Sequence, residues 1–102
     1  MSANPARGEA ALTIAGEERL LRPSFAALVA AEEELGPLFA LVERASEGQL
    51  RLTEIAALFW HCLVTPGRTT REEVGEAVMV LGLAGAAKPL RALLAQILQG
   101  RA

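Results

Sequence analysis

The sequence predicts a mainly α fold: a β-hairpin near the N-terminus followed by about five short helices packed in one small domain. Three observations carry this. Residues Ala10 to Ala15 alternate with a period of two; five later segments show apolar stripes at helical spacing; and residues that start or stop helices bound those stripes. The chain has 102 residues, 52% of them hydrophobic and 22% charged, enough to build a core but too few for two domains.

Met1 to Gly8 form a Pro-containing stretch of mostly small and polar residues, read as a flexible tail, which leaves residues 9–102 as the single helical domain. Ala10-Ala11-Leu12-Thr13-Ile14-Ala15 reads as a half-buried strand, and Arg19-Leu20-Leu21-Arg22 as its return. Gly16 suits the first central position of a two-residue turn, while a three-residue loop fits almost as well, so the register stays open. Pro23 ends the pairing. Ser24 then caps a helix from Phe25 to Leu35, with Gly36 as its stop.

Pro37 opens the second helix, whose stripe is Leu38, Leu41, Val42 and Ala45, and Gly48 stops it. Thr53 is the expected cap of the third, which carries Ile55, Leu58, Phe59 and Cys62. Thr65-Pro66-Gly67-Arg68 has the chemistry of a type II turn. Thr70 and Glu73 match a capping box ahead of Val74, Ala77, Val78 and Leu81. Gly82 followed by Leu83 predicts a Schellman ending, with Leu83 folded back on the last turn. Ala84 to Lys88 reads as a flexible connection, and Pro89 opens a fifth helix with Leu90, Leu93, Leu94, Ile97 and Leu98.

Ten basic and twelve acidic residues give a net charge of −2, with the arginines scattered. Nucleic-acid binding through phosphates needs a concentrated basic face, which argues against that partner. A helix-turn-helix across Thr65 to Thr69 is weak for the same reason, because its reading helix would begin Arg71-Glu72-Glu73. One cysteine permits no intrachain disulfide and fits a reducing compartment. No stretch approaches ~20 unbroken apolar residues, so no membrane partner is expected and the location reads as cytoplasmic.

No reactive constellation emerges. Trp60, His61 and Cys62 are consecutive on a helix and point about 100° apart, so they converge on no ion and form no Cys–His pair. A zinc site needs about four ligands, and the chain has one His and one Cys. Cys62 reads as an inert buried thiol and His61 as solvated. The glycines near positions 67, 82 and 85 lack the strand–loop–helix context of a phosphate cradle. The expectation is a non-enzyme with no metal and no cofactor.

Five residues stand out for binding a partner. Trp60 sits on the flank of its stripe, where it either lies across a helix seam or serves as an aromatic anchor. Glu32 falls close to the line of Phe25, Leu28 and Leu35, where a carboxylate must be paired or lie at the rim. Glu33 and Glu34 fall off that face and read as solvated. Leu90, Leu94 and Ile97 lie on the flank of the most apolar helix.

The stretch Ser24-Phe25-Ala26-Ala27-Leu28-Val29-Ala30-Ala31-Glu32-Glu33-Glu34-Leu35-Gly36 resembles a recurring helix of the tail assembly chaperones of gene transfer agents and related tailed phages. Gly48-Gln49-Leu50-Arg51-Leu52-Thr53-Glu54-Ile55 is similar to that family's second recurring feature, and the order of elements from about Gly8 to Gly100 follows its layout. Pro23, Ala31 and the Trp60-His61-Cys62 segment depart from it. The resemblance implies a non-enzymatic accessory of tail morphogenesis that binds the long helical tape measure protein, or another tail component, before the tube polymerises. It matches Glu32 to the family's glutamate. The competing class is a small homo-oligomeric structural or adaptor protein.

Overall fold

The computed structural model describes residues 9–100, so the expected flexible tail at 1–8 lies outside the described residues. A two-stranded antiparallel hairpin is followed by four helical stretches, the last of them broken. Strands β1 (Ala10–Ile14) and β2 (Glu17–Leu21) pair with Ile14 opposite Glu17, leaving Ala15 and Gly16 as the loop. Both have positive φ, 51° and 81°, as a type I′ turn requires. Gly16 is therefore the second central residue rather than the first, and Ala15 takes a left-handed conformation that costs a side chain roughly 1–2 kcal/mol.

This register turns Ala10, Leu12, Ile14 and Leu21 into the core. It also turns Arg19, opposite Leu12, inward. The outer edge of β2 is covered by the chain that leaves the third helix. Arg22 N–H donates to Cys62 O at 2.7 Å, Val64 N–H donates to Leu20 O at 3.0 Å, and Leu21 bridges Leu63. A covered edge cannot template further strand pairing.

Helix α1 (Phe25–Leu35) has the predicted bounds, with Ser24 Oγ accepting from Ala27 N–H at 3.2 Å. Its buried line is not the predicted one. Ala31 is fully buried, with Ala27, Leu28 and Leu35 beside it, while Phe25 is 86% exposed. The small Ala31 lets α1 settle close against the third helix, at residues 52–62, which rotates Phe25 and Glu32 out of the contact.

Helix α2 (Leu38–Ser46) starts one residue later than predicted, with Pro37 as the cap rather than the first helical residue. Helix α3 (Leu52–Cys62) begins before Thr53, with Arg51 at the cap. Glu54 supplies the polar group that Thr53 was expected to supply, accepting from Arg51 N–H at 2.9 Å. Ile55, Ala56, Ala57, Leu58, Phe59 and Cys62 of α3 are all buried, making it the central helix. The following turn closes from Thr69 N–H to Pro66 O at 2.8 Å, with Gly67 at its first central position, so the type II assignment one residue earlier is corrected.

The largest correction concerns α4 (Arg71–Gln99). Its capping box is as predicted, with Thr70 N–H to Glu73 Oε1 at 2.9 Å and Glu73 N–H to Thr70 Oγ1 at 3.2 Å. Gly82 does interrupt it, at φ 82° and ψ 158°, but the helix resumes at once. There is no flexible connection at Ala84 to Lys88, and Leu83 is exposed instead of folded back. The second arm, residues 83–99, carries Pro89 in its interior and not at its start. An interior proline costs about 3 kcal/mol relative to alanine. Burial of Pro89, Ala86 and Leu93 in the same arm offsets it.

The first arm, residues 71–81, packs Val74, Ala77 and Val78 into the core beside β1 and α3, and the second arm lies along α2. By length and composition α4 as a whole is apolar enough to cross a membrane, an amendment to the sequence reading, but its break at Gly82 divides it into two shorter helices.

Candidate partner-binding surface

The fifth stripe supplies a groove. Leu90, Leu94 and Leu98 recur one turn apart on the second arm and face Val42 and Ala45 of α2 across a cleft of about 510 Å³. Ala87 and Ala95 also line it, and Arg91 is the charged residue on its wall. Leu93 alone of the stripe is fully buried; Leu90, Leu94 and Ile97 are half-buried and Leu98 is 55% exposed. Ile97 does not line this cleft.

Further apolar side chains are exposed around the break at Gly82, and none of them was among the partner-binding residues singled out from sequence. Val80 is 88% exposed, Leu83 64% and Met79 62%, and Leu81, expected in the core, is 45% exposed. The signal was present in the run Met79-Val80-Leu81-Gly82-Leu83, which is apolar on every face of its helix. A stripe can bury only one of those faces.

Glu32 and Trp60 are not part of either surface. The Glu32 carboxylate is exposed and accepts from Leu38 N–H at 3.1 Å. It caps α2 in place of Pro37, which has no side chain able to do so. Trp60 lies across a seam: its Nε1 donates to Thr69 O at 2.9 Å, and the Arg71 guanidinium stacks 4.7 Å from its ring centre.

His61 and Glu34 correct the sequence reading. The His61 side chain is only 10% exposed and its Nε2 lies 2.8 Å from Glu34 Oε1, while Glu34 Oε2 pairs with Arg71. Arg71, then His61, hold the Glu34 carboxyl at about 2, below the ordinary 4.5. This cluster ties α1, α3 and α4 together.

Further polar contacts hold the frame. Arg44 grips Glu54 through two bonds of 2.9 and 2.8 Å, joining α2 to α3 and lowering the Glu54 pKa. Arg19 donates to Thr69 Oγ1 at 2.8 Å and to Thr65 O, pinning the α3–α4 loop to the hairpin. Glu9, 4% exposed, pairs with Arg22 at 2.7 Å. Cys62 is buried, and desolvation pushes its thiol up to about 12, so it stays protonated and unreactive. Among the described residues no three His, Cys, Asp or Glu side chains are grouped to hold a metal ion.

The polar side chains described above are committed to packing, while apolar ones on both arms of α4 are left uncovered. The model of a family described as "Phage tail tube protein, GTA-gp10" matches residues 7–100. The chain belongs to this family of gene-transfer-agent and phage tail assembly chaperones. The tail chaperones are structural and accessory tail components, not an enzyme family. Neither the curated proteins nor the solved structures include a significant match to this member.

Proposed function

We propose that the chain binds the tape measure protein during tail morphogenesis and holds it soluble until the tube assembles around it. The observation that carries this reading is the open cleft of Leu90, Leu94 and Leu98 against α2, on a chain of this family. An amphipathic helix of a long rod can lay its apolar face into such a cleft. Many copies bound along one rod gain avidity. Ile97 extends the same flank, while Trp60 and Glu32 contribute by holding the loop and the α1–α2 junction that shape the surface. The proposed place of action is the cytoplasm, with no nucleic acid, membrane, metal or cofactor involved.

The test is co-expression with a tape measure protein from the same genome. The partner's soluble fraction is expected to rise and a complex to co-purify. Leu98→Glu, at an exposed position, is expected to abolish both while leaving Tm unchanged. Unchanged solubility together with no complex at low salt sinks the reading. A second reading comes from the family description, which names a tail tube protein. A tube subunit polymerises with its own copies and stays in the finished particle, so detection of the chain in purified particles would favour that homo-oligomeric role.

A further inference from the structure

The tip of the hairpin and the first arm of α4 enclose a second groove, of about 560 Å³, between Thr13, Ile14 and Gly16 on one wall and Glu72, Glu76, Ala77 and Val80 on the other. Its floor is apolar and its rim is acidic: Glu72, Glu73 and Glu76 line it, with no lysine or arginine among the lining residues. We propose that this groove docks an amphipathic helix of another protein whose apolar stripe is flanked by lysine or arginine.

Two features favour such an occupant. Val80 is 88% exposed at the groove, so the chain holds a β-branched apolar side chain in water where a polar one would fold equally well. Glu72 and Glu76 are one helical turn apart, and like charges at that spacing destabilise a helix. Glu73 is committed to the Thr70 cap, and the basic Arg71 is turned to Glu34 and Trp60. Cationic side chains arriving from outside would relieve this repulsion. The cleft against α2 has the opposite sign, with Arg91 on its wall, so a basic helix is directed to the first arm and away from the second.

The proposal rests on the chaperone reading for its partner and adds the chemistry of the helix that is held. It is tested with the full chain and two labelled peptides that share one leucine stripe, flanked in one by lysine and in the other by glutamate. Fluorescence anisotropy at low salt is expected to give about tenfold tighter binding of the lysine peptide, a preference that salt removes. The double variant E72Q/E76Q is expected to erase the preference without lowering Tm, and V80S to weaken both peptides.

Equal binding of the two peptides, binding of neither, or a preference that survives E72Q/E76Q overturns the proposal. So does a stable oligomer of the chain that V80S dissociates, because a second copy then fills the groove. Co-expression separates the two ideas. Solubilisation of the tape measure protein by E72Q/E76Q/V80S as well as by wild type removes this groove and leaves the chaperone reading standing. A retained lysine preference with no capture of the tape measure protein does the reverse.

Discussion

Glu34 joins three elements through one carboxylate, with Arg71 of α4 on one oxygen and His61 of α3 on the other. Its pKa is lowered to about 2 from 4.5, first by the Arg71 hydrogen bond and then by that of His61. A depressed carboxyl stabilises the fold in full above its unfolded value and loses that contribution as pH falls through the folded value. The Tm advantage of wild type over Glu34→Gln is therefore expected to hold at neutral pH and to shrink as pH falls from 4.5 toward 2. A difference that does not change across that window would show that Glu34 gains nothing from its partners. Sequence spacing exposes local pairs such as Ser24 with Ala27 and Thr70 with Glu73, three residues apart. It is silent on Glu34 and His61, whose separation of 27 residues is bridged only once α1 and α3 pack. Glu32 was legible as out of place on its stripe, but its role as the cap of α2 depended on Pro37 being the residue before the helix.

Among the elements, α4 has the sharpest conflict between local preference and packing. Gly82, at φ 82° and ψ 158°, occupies a backbone region essentially restricted to glycine, the same region that ends α1 at Gly36 and α4 at Gly100. The stop was visible in the sequence. What followed was not, because Gly85 and Pro89 read as loop and helix start by propensity. The buried Ala86 instead sets this arm close to Leu50 and Ile55, and packing overrides propensity. Gly82→Ala is expected to destabilise by about 1–3 kcal/mol, since a side chain is strained there although open space surrounds it. Gly75→Ala, in the ordinary helical first arm and equally unobstructed, is expected to stabilise by about 0.4–1 kcal/mol. Urea unfolding of the two variants separates them, and a shift of the same sign in both would show that Gly82 is not a strained break.

At the scale of the whole molecule, the core is narrow and the uncovered apolar surface is wide. Leu12, Leu21, Leu41, Leu58, Phe59, Val74, Val78 and Leu93 are fully buried, while Phe25, Phe39, Val80, Leu83 and Leu98 stand in water. Apolar periodicity located the helical members of the first group well, since one line per helix faces inward, but left Leu21 open because the hairpin register was not fixed. It put Phe25 and Leu98 on stripes although both are exposed, because a helix that is apolar on several faces does not say which of them the fold leaves open. If these exposed side chains are surplus to folding, truncating them should leave stability unchanged. Leu93→Ala is expected to cost about 2–5 kcal/mol, the usual loss for a leucine fully enclosed in a core. Val80→Ser and Leu83→Ser together are expected to move stability by no more than about 0.5 kcal/mol. The same pair should lower the emission of a dye that binds apolar surface, with the near-ultraviolet signal of Trp60 unchanged to show that the packed state persists. A large stability loss in the double variant would place Val80 and Leu83 among the residues that hold the fold, and would remove the uncovered surface on which the proposed docking at the first arm rests.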